Sequence, residues 1–183
     1  MTHAASVEGR ERARLFCGLR LPPEAVDEVS RWQAEHIRGG RVVARDHLHV
    51  TLAFLGHRPV QELPSIAGAL REAAADARPI SLVPERYRET RSVGMLVLSD
   101  AAGCAEALAE DLQGRLERLG VYEREQRAWL PHLTVVRFKD RPRLRPPVPD
   151  TGPISPSDAA VYHSVLRSTG AQYVVVESFA LGG

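Results

Sequence analysis

The chain has 183 residues, 44% of them apolar, and a net charge of +1 with 26% charged residues. The length suits one domain or two small lobes sharing one fold, and the near-neutral balance excludes a whole-protein basic field for holding long nucleic acid. Cys17 and Cys104 are too few for a disulfide framework, no run approaches the roughly 20 apolar residues of a membrane span, and the start lacks a secretory apolar segment, so a reduced, cytoplasmic monomer without membrane contact or obligate protein partner is expected.

Residues 1–13 are polar and read as a flexible N-terminus. RLFCGLRL (14–21) reads as a strand, with Cys17 a small core residue, and Pro22-Pro23 stops it. Residues 24–37 place Val26, Val29, Trp32 and Ile37 at helical spacing, and Gly39-Gly40 ends that helix. HVTLAFLG (49–56) reads as a buried strand, and residues 60–77 as a helix carrying Leu63, Ile66 and Leu70. Residues 80–89 and 92–100 read as strands close enough to pair as a hairpin, and residues 101–120 as a helix with Leu108, Leu112, Leu116 and Leu119 on one side. PHLTVVRF (131–138) is another strand. The proline-rich run 140–156 reads as a surface connection, extended rather than packed. DAAVYHSVLRS and QYVVVESFAL close the chain as two strands around Ser168-Thr169-Gly170. Both halves follow the order strand, helix, motif strand. This suggests an internal duplication within one domain, 14–183, with halves near 14–90 and 91–183.

The repeated element is His-x-Thr. His49 and Thr51 share one face of their strand, as do His132 and Thr134 of theirs. A lone His-x-Thr carries almost no signal; two copies on matched strands ask for one explanation. If the lobes face each other, the histidines meet across a cleft. One neutral and one protonated imidazole are the equipment for concerted acid–base catalysis. Each threonine then offers a hydroxyl to a group between them, and a phosphate fits. This chemistry needs no cofactor and no metal. His47 shares parity with His49 in an ideal strand, but a metal pair is disfavoured because no carboxylate or third histidine follows at a suitable spacing. Arg137 has the opposite parity to His132 and reaches the same face only if the strand twists, bulges or ends there. Phe54, at the equivalent place in the first copy, reads as core. Tyr122, Arg127 and Trp129 precede the second motif and are candidates to line a nucleotide pocket. His3, His36, His57 and His163 show no partner pattern.

LHVTLAFLG and PHLTVVRF, with RLFCGLRLP before them and YHSVLRSTGAQY after, resemble in that order the motifs of the two-histidine (2H) phosphoesterases. Within that superfamily the chain is similar to the RNA 2',3'-cyclic phosphodiesterases, also called 2'-5' RNA ligases, over roughly residues 14–176. The resemblance implies an α+β fold of two pseudo-symmetric antiparallel sheets with outer helices around a central cleft. It implies hydrolysis of a 2',3'-cyclic phosphate at an RNA or nucleotide end to a 2'-phosphate, with reversible 2'-5' RNA ligation beside it. His49 would be the proton donor and His132 the acceptor. Thr51 and Thr134 would bind the phosphate, and Arg137 would neutralise it or contact the ribose. Related two-histidine proteins act instead on ADP-ribose cyclic phosphate or 2'-5' oligoadenylates. A noncatalytic nucleotide-binding module on the same fold is a further alternative, against which both intact motifs argue.

Overall fold

The computed structural model describes residues 11–182; of the flexible N-terminus expected over 1–13, residues 1–10 lie outside them, whereas residues 12 and 13 belong to a strand. In chain order the elements are β1 (Arg12–Arg20), α1 (Pro23–His36), β2 (Arg41–Val42), β3 (His49–Pro59), α2 (Leu63–Ala75), β4 (Val83–Glu89), β5 (Val93–Ser99), α3 (Cys104–Arg118), β6 (His132–Arg137), β7 (Asp158–Arg167) and β8 (Gly170–Ala180). Local chemistry sets several boundaries. Pro23 occupies the first turn of α1, where its missing N–H costs nothing. The Asp100 carboxylate accepts from the N–H groups of Cys104 and Glu106, so it serves the orphan donors at the start of α3. Leu108, Leu112 and Leu116 are buried along α3, but Leu119, expected on the same stripe, lies past the end of the helix and is exposed.

All strands join one antiparallel sheet in the order β4-β5-β6-β3-β1-β7-β8, with β2 also pairing to β6. Its two halves meet at a single residue pair, Val50 of β3 opposite Leu133 of β6. The helices cover one face, burying Leu15, Leu19, Val50, Leu52, Leu96 and Leu133 beneath them. The expected hairpin is present as β4–β5. Strand pairing crosses the division suggested near residue 90: β4 joins β5, and the β7–β8 hairpin from the chain's end adds to β1. β2 has no counterpart in the sequence reading, because two residues carry no periodicity.

The run 140–156 is largely without regular structure, as expected, but it is not unpacked. Glu89 accepts from the N–H groups of Arg143 and Leu144 and from the Arg141 guanidinium, while Trp32 donates to the Pro147 carbonyl. Ile154 exchanges backbone bonds with Leu82 and is fully buried. Burial alone would raise the Glu89 carboxyl. The hydrogen bonds from Leu144, Arg141, Tyr87 and Arg143 outweigh that and hold it below its usual range. Cys17 and Cys104 are free and buried, and burial pushes the Cys17 thiol up to about 12, so it stays protonated and inert.

Candidate active site

His49 and Thr51 open β3, and His132 and Thr134 open β6. Val50 and Leu133 are fully buried on the helix side, so their neighbours project from the opposite face. Extending the Val50–Leu133 register by one residue each way sets His49 opposite Thr134 and Thr51 opposite His132. The two motifs thus meet as a crossed square, each histidine facing the other motif's threonine.

Both rings are held in the same way. Nδ1 of His49 lies 2.7 Å from the carbonyl of His47, and Nδ1 of His132 lies 2.8 Å from that of Leu130. A carbonyl only accepts, so Nδ1–H is the donor in each ring and Nε2 is left for the cleft. At His49 the Thr51 hydroxyl donates to Nε2 over 3.0 Å. The surroundings of the two rings differ. Phe16 lies 4.7 Å from the His49 ring, Tyr162 5.7 Å and Tyr173 5.5 Å, three aromatics brought by β1 and the β7–β8 hairpin. Gly18 leaves room for them: a Cβ there would approach the Val50 carbonyl to 3.0 Å and the His49 ring to 3.3 Å. Burial lowers the His49 pKa from 6.5 to about 4. The bond to the His47 carbonyl opposes the shift, while the charges of His132, Arg137 and His47 add to it. In the unliganded protein His49 is therefore neutral at pH 7.

A bulge follows each threonine. On β3 the register with β1 shifts between Thr51 and Ala53, leaving Leu52 extra; on β6 the register with β5 shifts between Thr134 and Val136, leaving Val135 extra. Each bulge reverses the parity beyond it. Val135 and Val136 are both buried, and Arg137 turns onto the face of His132 and Thr134, meeting the condition its spacing set. Gly94 permits this, since a Cβ there would come within 2.6 Å of the Val136 side chain. In the first copy the same reversal corrects the reading of Phe54. It pairs with Phe16 on the cleft face, is 49% exposed, and carries the Arg14 guanidinium 5.0 Å above its ring.

Two buried glutamines, missed in the sequence, hold the bulges. Gln113 of α3 donates to the Leu52 carbonyl over 2.9 Å, and Gln33 of α1 donates to the Val135 carbonyl over 2.8 Å. Each motif strand is thus braced by the helix of the other half. Gln113→Leu should lower stability by about 1–3 kcal/mol, because it leaves a buried carbonyl without its amide. Gln33→Leu should cost stability as well: the Val135 oxygen keeps the Val43 N–H, but the Val43 carbonyl loses the bond that the same amide donates over 3.2 Å. Urea midpoints measure both; an unshifted midpoint for Gln113→Leu would mean that the bulge does not depend on the amide.

Other candidates fall outside the square. His47 lies in a short turn, not on the strand, with its ring against Tyr173 at 4.6 Å. Among the described residues no three His, Cys, Asp or Glu side chains converge as a metal set would require. Trp129 donates to the Thr51 carbonyl at 3.0 Å and Tyr122 packs on the core, whereas Arg127 is exposed and paired with Glu125. His36 stands beside Glu35, His57 is exposed and His163 lies half-buried on β7. His3 is outside the described residues.

The family described as the 2'-5' RNA ligase superfamily matches residues 21–165, nearly the whole span between the opening strand and the closing hairpin. The chain belongs to this superfamily. Its relatives include the RNA 2',3'-cyclic phosphodiesterase of Escherichia coli K12, 27% identical over 93% of this chain and 98% of that one. The protein of the same name from Thermus thermophilus is 29% identical over 93% of this chain and 91% of that one. Among solved structures, E. coli LigT complexed with NADP+ superposes with a TM-score of 0.80 at 26% identity, covering 94% of this chain and 99% of the other. The expected α+β two-histidine phosphoesterase fold is therefore the fold of this superfamily member. No helix among its described residues is long and apolar enough to cross a membrane.

Proposed function

We propose that this superfamily member is an RNA 2',3'-cyclic phosphodiesterase that opens the ring to a 2'-phosphate. One observation carries the reading: two His-x-Thr pairs face each other across one strand junction, with both Nδ1 atoms tied to carbonyls, which leaves Nε2 of each ring to serve the cleft, that of His49 meeting its own motif's threonine. The names of its relatives support the substrate class. A cyclic phosphate between the rings takes the Thr51 hydroxyl from His49 and a second hydroxyl from Thr134. Arg137 offsets its negative charge. His132 Nε2 removes a proton from water as the water oxygen bonds to phosphorus. The P–O3' bond breaks on the opposite side; His49, which takes a proton at Nε2 as the phosphate anion binds and draws off the Thr51 hydroxyl, delivers it to the departing 3' oxygen. Every group in this sequence is a side chain of this chain. With the 5' hydroxyl of a second nucleotide in place of water, the same step forms a P–O5' bond as P–O3' breaks, and the two are joined through a 2'-5' linkage; cleavage of that linkage is the reverse.

The test is incubation with an RNA ending in 2',3'-cyclic phosphate, in excess EDTA, with phosphorus NMR of the product. A 2'-phosphate is expected. A 3'-phosphate would refute the regiochemistry, and no hydrolysis of any cyclic end would refute the substrate class. Loss of activity on chelation, restored by Zn²⁺ or Mn²⁺, would overturn a reaction run by side chains alone.

A further inference from the structure

Arg41 and Arg137 stand directly opposite each other in the two-residue ladder between β2 and β6. Like charges so placed repel. Neither guanidinium finds a carboxylate or other hydrogen-bond partner among the described residues. What sets the two apart is that they face each other: Arg20 and Arg45 stand beside Asp158 and Asp27, whereas Arg41 and Arg137 stand beside one another. Arg41 and Arg137 both line a cavity of about 140 Å³ shared with His47, Thr169, Gly170 and Tyr173, and no carboxylate lines it. The Arg41 guanidinium lies over Gly170 at the hairpin turn. Tyr173 forms the wall between this cavity and the reaction centre, with its ring 4.6 Å from His47 and 5.5 Å from His49. Arg137 acts on both sides, since its charge also bears on His49.

Two opposed guanidiniums with no acid between them are relieved by an anion that presents oxygens to both. Phosphate does this, and the planar guanidinium fork matches its geometry. We propose that this cavity is a second phosphate subsite, holding the phosphate on the 5' side of the terminal nucleotide while the cyclic phosphate lies between His49 and His132. The inference rests on the histidine pair being the reaction centre. Its consequence is substrate choice: an RNA end, which always carries that 5' phosphate, is favoured over a bare nucleoside cyclic phosphate.

The probes are adenosine 2',3'-cyclic phosphate and the same compound bearing a 5'-phosphate, which differ only in the group the cavity would hold. The wild-type kcat/KM should favour the 5'-phosphorylated compound by about 10- to 100-fold, the worth of a charge-assisted contact. Arg41→Gln should bring that ratio near unity, and Arg41→Lys should keep part of it. Arg41→Gln should also unfold at or above the wild-type temperature, because it removes a repulsion. A wild-type ratio near one, a ratio that survives Arg41→Gln, or a clear loss of thermal stability in that variant would each overturn the subsite. If the wild type hydrolyses neither compound, the assignment of the histidine pair fails instead.

Discussion

Replacing His49 or His132 by alanine is expected to cut turnover of an RNA 2',3'-cyclic phosphate by about 10²- to 10⁴-fold in each case, the span of one general acid or base. The expectation follows from the crossed square: with one ring gone, neither the remaining histidine nor the threonines can both accept from water and donate to the 3' oxygen. Stability must be followed alongside. The His49 ring fills a space among Phe16, Tyr162 and Tyr173, so alanine there opens a gap; His49→Gln is the companion variant. Near-normal turnover by either folded variant would sink the mechanism. The same variants separate donor from acceptor. A nucleoside 2'-phosphate ester whose leaving group is 4-nitrophenolate needs no proton to depart. His49→Ala should recover most of its deficit on that ester, while His132→Ala should not. Recovery by His132→Ala alone would exchange the two roles.

The features legible in the sequence were those set by local pattern. The helical stripes of α1 and α3, the β4–β5 hairpin and the paired His-x-Thr motifs depend on residues near each other in the chain. What escaped depends on partners far away. The face that Phe54 occupies is decided by a bulge at Leu52, and that bulge exists only relative to β1. In an isolated strand the alternation places Phe54 in the core; one extra residue reverses it. Gln33 and Gln113 look like ordinary polar residues on amphipathic helices until the strand beneath each presents a carbonyl that needs an amide. The aromatic surround of His49 comes from β1 and the closing hairpin, more than 100 residues apart, and no spacing rule reaches that distance. Arg137 was legible only as a condition, because its parity pointed away from the histidine and the remedy, a bulge opposite Gly94, lay on another strand.

The acid limb of kcat/KM is expected near pH 4, well below the value for an ordinary imidazole. That limb reports the unliganded enzyme, where burial among aromatics holds His49 at about 4 and the neighbouring positive charges of His132 and Arg137 help to keep it there. Below the lower macroscopic pKa of the pair both rings carry protons and neither is left to act as base. The limb belongs to the coupled pair, so its position does not depend on which histidine donates. Binding changes the balance. A phosphate anion between the rings favours the charged form of each, so the acid limb of kcat should lie at higher pH than that of kcat/KM. Coincident limbs between pH 6 and 7 would show that burial does not control His49. Stability supplies a second reading of the same group. The folded pKa lies below the unfolded value of 6.5, so the unfolded chain binds the proton first as pH falls. The contribution is whole above pH 6.5 and is lost progressively toward pH 4, amounting to about 3 kcal/mol. Urea unfolding of the wild type at pH 7 and pH 4.5, set against His49→Phe, isolates it. The phenylalanine variant should lose markedly less stability on acidification, and an equal loss in both proteins would place the acid-sensitive group elsewhere.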